Sequence, residues 1–319
     1  MKWKKLGRIF NPIDHILPNH CVEFAQSPQT LIFDDFVRVY FSTREKERSG
    51  KYLSHISFVD FDKKFEHIVN VARRPVIALG DLGCFDEHGI FPFNVLREKD
   101  KVLGYISGWS RRKSVSIETA IGLSVSNDNG LTFKRAGPGP ILSASVNEPF
   151  LVGDPFVRIY KDIYHMWYIY GTRWFNDPDE NIPDRVYKIG HAESADGVSW
   201  NRTGGQLIAD KLNSDECQAL PTVIDIGKSY HMFFCYRHAV GFRKNRDKAY
   251  RIGYAFSNDL IHWTRDDQKV GINVSTDDWD SDMMCYPHVF RCNDNIYMLY
   301  NGNEFGRFGF GLAVLETLN

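Results

Sequence analysis

An all-β fold of five repeated sheet units is what this sequence predicts, and three observations carry the prediction. Prolines recur at Pro28, Pro92, Pro155, Pro221 and Pro287, at intervals of 64, 63, 66 and 66 residues. Each is followed by an apolar run, a polar turn and a second apolar-aromatic run, the pattern of a hairpin of buried strands. The fifth period runs out of chain before its outermost strand, and the N-terminus carries text that matches the missing piece. A fixed period of this length marks a repeat architecture. The expected fold is therefore one five-bladed β-propeller with four antiparallel strands to a blade.

The elements follow in order. The first blade (about 25–72) opens with SPQTLIFDDFVRVYFS and continues into YLSHISFVDFDKKFEHI. The second (88–138) holds FPFNVLREKDKVLGYIS and IGLSVSNDNGLTFKR, and the third (150–205) DPFVRIYKDIYHMWYIYG and IGHAESADGVSWNR. The fourth (217–268) holds LPTVIDIGKSYHMFFCYR and IGYAFSNDLIHWTR. The fifth (284–319) has YPHVFRCNDNIYMLYNG and FGFGLAVLETLN and then stops. Trp3-Lys4-Lys5-Leu6-Gly7 parallels Trp200-Asn201-Arg202-Thr203-Gly204, so residues 2–6 are expected to join the last blade and close the ring. Closure removes the exposed sheet edges of an open ring. The period runs end to end without a linker, so residues 1–319 are expected to form one domain.

Composition sets limits on function. Hydrophobic residues at 43% and aromatics at 14% supply a core of packed sheets. A net charge of −1 gives no support for nucleic-acid or membrane-surface partners. No run of 18 apolar residues is present, and the start MKWKKLGRIFNP has no apolar segment of secretory length. Six cysteines (Cys21, Cys84, Cys217, Cys235, Cys285, Cys292) lack CxxC or framework spacing. Reduced thiols and a cytoplasmic location are expected.

Loops that enter the inner strands and loops that follow the second strands share one face of such a fold, and sites form where loops converge. Five residues before four of the prolines stand Glu23, Glu87, Glu216 and Asp282, while the third blade has Glu148 and Asp154. The second loops bring Arg44, Trp109 with Arg111, Arg173 with Trp174, Arg237 with His238, and Asn301 with Glu304 and Arg307. Acids interleaved with guanidinium, indole and imidazole groups suit a polyhydroxylated ligand, whose hydroxyls need paired donors and acceptors. Guanidinium forks also suit carboxylate or phosphate, so an acidic, phosphorylated or nucleotide-linked sugar is an expected substrate class. Arg243, Lys244, Arg246 and Lys248 are expected in a solvated loop that could form a rim flap.

The five-unit plan, the GDPF text at Asp154-Pro155 and the glutamate of DECQALP resemble glycoside hydrolase families 43 and 32. That resemblance implies a glycosidase with three carboxylates. Glu216 matches the general acid, and Asp154 matches the aspartate that stabilises the transition state and tunes that acid. The aspartate expected in the first blade is absent: Ser27 precedes Pro28, with Gln26 beside it. Serine activates no water without a base of its own, so Glu23 is the expected substitute, with Asp14 the other choice. Substrate contacts are expected from Glu87, Trp109, Arg111, Arg173, Trp174, Arg237, His238, Asp282, His288 and Asn301. No cofactor is expected. The resemblance leaves room for a central cation such as Ca2+, with His88, His238 and His288 as inner-strand candidates. SNDNGLTF (126–133) and SADGVSW (194–200) resemble the Asp-box of sialidases, and here a structural turn is expected. The expected activity is cleavage or transfer of a glycosyl unit. The alternative is a propeller that binds a sugar derivative without turning it over.

Overall fold

The computed structural model describes residues 1–177, 180 and 182–318. It is all-β, and its strands run as consecutive antiparallel meanders. The first is β2–β5 (Glu23–Ile32, Phe36–Lys46, Tyr52–Asp62, Ile68–Val71), followed by β6–β9 (Gly89–Glu98, Lys101–Arg111, Ile117–Ser126, Lys134–Arg135). Then come β10–β13 (Val152–Tyr160, Ile163–Phe175, Asp184–Ser194, Asn201–Arg202) and β14–β17 (Cys217–Ile226, Ser229–Arg237, Arg251–Ser257, Thr264–Arg265). The chain ends in β18–β20 (Cys285–Cys292, Asn295–Asn301, Phe310–Thr317). A single parallel bridge, Ser54 to Gly89, joins the first two meanders into one sheet.

The N-terminal strand β1 (Lys2–Phe10) pairs antiparallel with β20, from Lys2 opposite Thr317 to Phe10 opposite Phe310. It is longer than the 2–6 expected from sequence. Phe10 explains the extension, because its ring packs on Phe41 and Phe310 at centroid distances of 5.0 and 5.3 Å. Gly309 makes this approach feasible. Its φ is +102°, and a Cβ there would fall 1.8 Å from the Phe10 carbonyl oxygen.

The periodic prolines mark a repeated β-bulge. In every first strand the ladder shifts register across the proline, between Gln26 and Gln29, Ile90 and Phe93, Gly153 and Phe156, Ala219 and Thr222, and Cys285 and His288. Proline has no N–H, so it suits a position where the ladder skips a donor. The residue before it is left-handed in four cases: Ser27 (φ 47°), Asp154 (51°), Leu220 (47°) and Tyr286 (56°). Each such residue costs about 1–2 kcal/mol, and the surrounding sheet holds it there.

A relay of hydrogen bonds links these first strands side by side. The Asn94 amide donates to Gln29 Oε1 (2.9 Å), and Val157 N donates to Asn94 Oδ1 (2.9 Å). Leu220 N donates to Asp154 Oδ2 (3.3 Å), and Val289 N to Thr222 Oγ1 (3.2 Å). Thr30 N donates to His288 Nε2 (3.1 Å), returning from β18 to β2. His288 is therefore a fully buried link between strands rather than a cavity group.

The Asp-box-like turns hold backbone. Asp196 Oδ1 accepts from Val198 N and Ser199 N, and Asp259 Oδ1 from Ile261 N and His262 N. Those donors pull the Asp196 carboxyl down to about 2. In the turn of the second meander Asp128 accepts from Thr132 N (2.9 Å), and Tyr40 donates its hydroxyl to the Gly130 carbonyl (2.6 Å).

Candidate functional site

A cavity of about 460 Å³ opens where the bulges and the loops after the second strands meet. Among the described residues its lining holds one carboxyl, Asp154, and four guanidiniums, Arg44, Arg185, Arg237 and Arg243. Tyr52, Tyr187, Tyr250 and Tyr286, with Phe24, Phe91, Trp109, Phe242 and Phe305, supply aromatic wall. The arrangement suits a sugar-sized ligand that carries negative charge.

Asp154 reaches the cavity because its left-handed backbone turns the side chain out of the ladder. It is 7% exposed. Desolvation pushes its carboxyl up to about 7, against the opposing pulls of the Leu220 N–H and Arg185. A carboxyl near 7 exchanges a proton readily at neutral pH, as a general acid must.

Arg44 binds neutral oxygens. Its Nε and Nη2 donate to Gln26 Oε1 at 3.0 and 2.8 Å, its Nη1 donates to Ser54 Oγ, and the guanidinium lies 5.6 Å from the Phe91 ring centre. Desolvation lowers its pKa to about 10. A desolvated cation bound only by neutral acceptors stands ready for an anion. Across the cavity, Asp184 sits behind the other three arginines, 2.8 Å from Arg243, 3.6 Å from Arg185 and 3.9 Å from Arg237. One carboxylate against three cations leaves that wall positive. Arg237 also donates to Tyr187 Oη (3.2 Å), lies 3.5 Å from the Phe242 ring centre and is 2% exposed. Tyr187 and Tyr250 share a hydroxyl–hydroxyl hydrogen bond, and burial keeps Tyr187 neutral at about 12.

Of the residues expected in catalysis or substrate contact, the structure brings Asp154, Trp109 and Arg237 to the cavity, together with Arg44 of the second-loop set. The expected general acid, Glu216, does not line it and is fully buried. Its Oε2 accepts from Lys211 N (2.9 Å) and Leu212 N (3.0 Å), and its Oε1 from Gln218 Nε2 (3.0 Å) and Arg265 Nη1 (2.5 Å). Glu23 faces Arg307 at 2.9 Å, Arg173 pairs with Asp215 at 2.6 Å, and Arg111 pairs with Glu47. Glu87 accepts from Gly83 N (3.0 Å), while the backbone N–H of Asp282 donates to Asn303 (2.8 Å). The His238 backbone N–H donates to Lys248. Trp174 lies under Arg185, 5.5 Å from its guanidinium carbon, one layer behind the lining. Asn301 ties β19 to β2 by accepting from Ser27 N (2.8 Å) and donating to the Ala25 carbonyl (2.8 Å).

The recurring acids have a structural cause. In four units an acid of the loop before the first strand forms a buried ion pair with a cation of an outer strand. These are Asp86 with Arg135 (2.6 Å), Glu148 with Arg202 (2.7 Å), Glu216 with Arg265 (2.5 Å) and Asp280 with Lys5 (2.6 Å). Lys5 of β1 thus stands where Arg202 stands in β13, as the parallel of their flanking sequences suggests. Burying an acid in its ionised form is costly unless a cation pairs with it. Of the acids five residues before a proline only Glu216 belongs to this set; Asp86, Glu148 and Asp280 stand six or seven residues before theirs, and the repeat they form locks loops to sheets.

Sequence reasoning missed Arg185, Tyr187 and Tyr286, which sit at strand starts, and Tyr250, which ends the loop between β15 and β16. It placed Arg243 in a solvated flap. That side chain is 40% exposed, but it lines the cavity and grips Asp184.

No family model matches the chain. It is 33% identical over 317 residues to the uncharacterized protein Rv1502 of Mycobacterium tuberculosis, an alignment covering 99% of this chain and all of that protein. The chain belongs to the family of that mycobacterial protein. Among solved structures it resembles one described as a glycoside hydrolase (17% identity, TM-score 0.74, covering 99% of this chain and 93% of that one). It also resembles a thermostable family-43 glycoside hydrolase (16%, TM-score 0.64, covering 93% and 91%). A third is the β-1,2-mannobiose phosphorylase of Listeria innocua, solved with β-1,2-mannobiose (13%, TM-score 0.69, covering 98% and 96%). At such identities the likeness is one of fold, and this family shares the fold of the glycoside hydrolase-like propellers. Among the described residues no helix is long and apolar enough to cross a membrane.

Proposed function

We propose that this chain is an enzyme of glycosyl bonds, a single-domain five-bladed propeller closed by β1, with Asp154 as proton donor and the arginines as an anion seat. The observation that carries the proposal is the cavity's charge, one carboxyl near 7 facing four guanidiniums. Breaking a glycosidic bond needs a proton on the leaving oxygen and an electron pair at the anomeric carbon. Asp154 suits the first task. Glu23 and Glu216 are engaged elsewhere, so among the described residues no second carboxylate is left in the lining to activate water. A phosphate-class oxyanion held by the guanidiniums fits the second task, since it is a nucleophile without prior deprotonation. Its oxygen bonds to the anomeric carbon as the glycosidic oxygen leaves with the Asp154 proton, giving a sugar phosphate. The presence of a phosphorylase among the fold neighbours, beside hydrolases, supports this reading.

The same lack of a second lining carboxylate favours one other reading, a propeller that binds an anionic sugar without cleaving it. The deciding experiment measures turnover of disaccharides with and without inorganic phosphate, and of sugar 1-phosphates with acceptor sugars. Phosphate-dependent turnover, reduced at least about 100-fold in Asp154→Asn, is expected. Hydrolysis that ignores phosphate removes the anion from the mechanism. Saturable sugar-phosphate binding without turnover makes the protein a binding module.

A further inference from the structure

The other end of the β11–β12 pair holds a cluster that the cavity does not use. Side chains two apart on a strand share a face, and a residue directly opposite on the next strand joins them. His191 and Glu193 are two apart on β12, and His165 of β11 stands opposite Glu193. Their ligating atoms converge. His165 Nδ1 is 3.1 Å from His191 Nε2 and 3.6 Å from Glu193 Oε1, and all three atoms lie within 4.8 Å of one another. Such spacings fit one ion at roughly 2.0–2.2 Å from each donor after small side-chain adjustments.

The surroundings prepare these groups as ligands. Thr203 donates its hydroxyl hydrogen to the His191 carbonyl (3.1 Å), which leaves its oxygen lone pairs facing His191 Nδ1 at 3.4 Å. His191 therefore carries its proton on Nδ1 and presents the Nε2 lone pair to the cluster, the orienting role of outer partners at metal sites. Both rings are buried beside Trp167, and burial keeps both imidazoles neutral, His191 down to about 3. Neutral imidazoles bind metal without losing a proton to solvent first. Glu193 is 35% exposed, which gives an ion and a water ligand a way in.

We propose that His165, His191 and Glu193 form a zinc site that staples β11 to β12, independent of the cavity. Two imidazoles and a carboxylate with one open position suit Zn2+. Without the ion, His165 Nδ1–H donates to His191 Nε2. On binding, that proton moves to Nε2 of the same ring, which stays neutral, and both lone pairs turn to the metal.

Chelator-treated protein titrated with Zn2+ in a calorimeter tests this, beside Glu193→Gln and the double variant His165→Gln/His191→Gln. The expected result is one zinc per chain, bound at least about tenfold more weakly by Glu193→Gln and not at this stoichiometry by the double variant. Glu193→Gln changes a partly exposed side chain, so it stays informative if the double variant fails to fold. Tetrahedral Co2+ absorption that appears in the parent protein and is lost in Glu193→Gln gives an independent readout. No binding by the parent protein, or equal affinity in parent and Glu193→Gln, overturns the proposal.

Discussion

Replacing Asp154 by asparagine should make the protein more stable at alkaline pH while removing its activity. The carboxyl rises from an ordinary 3.8 to about 7 in the folded protein. A group whose folded value is raised binds its proton more tightly when folded. Its favourable contribution is complete below 3.8 and is lost as pH rises through 7. Above 7 the folded state carries a desolvated charge that the unfolded chain leaves in water. The difference of 7 − 3.8, about 3.2 units at 1.36 kcal/mol each, corresponds to about 4 kcal/mol at pH 8.5. At pH 5, where the folded carboxyl is already protonated, the same linkage leaves about 2 kcal/mol.

Asparagine retains an oxygen to accept the Leu220 N–H, so Asp154→Asn removes the titration and little else. With an unfolding entropy near 2.1 cal/mol/K per residue, about 4 kcal/mol in a chain of this length shifts Tm by roughly 6 °C. Differential scanning calorimetry of both proteins from pH 5 to pH 8.5 reads the effect. The variant's advantage should roughly double over that range. A pH-independent gap, or a variant less stable at pH 8.5, would refute the claim that desolvation holds Asp154 near 7. A destabilising acid kept in a cavity is the kind of exchange of stability for function that active sites show.

Other perturbations separate the groups that sequence placed together. Arg44→Met should weaken sugar-phosphate binding by about 1.5–3 kcal/mol, some 10- to 100-fold, with no loss of Tm, because its present partners are neutral; calorimetric titration and thermal melts check both halves. Glu216→Gln should lower stability by about 1–3 kcal/mol by weakening the bonds at buried Oε1 and Oε2 while Asp267 still pairs with Arg265, and folded protein at low temperature keeps its turnover. Loss of turnover in folded Glu216→Gln would return that residue to the chemistry. Glu23→Gln should change stability by no more than about 1 kcal/mol, since its partner Arg307 is exposed, and should leave kcat within a few-fold. A chain lacking residues 2–10 should lose the Lys5–Asp280 pair and the Phe10 packing and fail to show a cooperative melt.

The all-β order was legible because strands and turns are set locally. The proline period was visible as text, although its physical meaning, a bulge with a left-handed residue before the proline, needed backbone angles. Asp154 was legible for the same reason, since it occupies the bulge. Trp109 and Arg237 were found because the second strands end at the cavity. Glu216 and its equivalents misled because a buried acid can hold either substrate or scaffold, and the difference lies in the cation opposite. Arg265 stands 49 residues away from Glu216 and Arg135 stands 49 from Asp86, a pairing that no local pattern displays. Arg185, Tyr187 and Tyr286 were missed because they belong to strand starts, where periodicity predicts core and not ligand contact.

The central claim is that the cavity recognises negative charge on a sugar, and calorimetric titration of a sugar 1-phosphate against its neutral parent sugar tests it most directly. Charged hydrogen bonds to two or more guanidiniums should favour the phosphate at least about 100-fold. Equal affinity for the two, or tighter binding of the neutral sugar, would contradict the account.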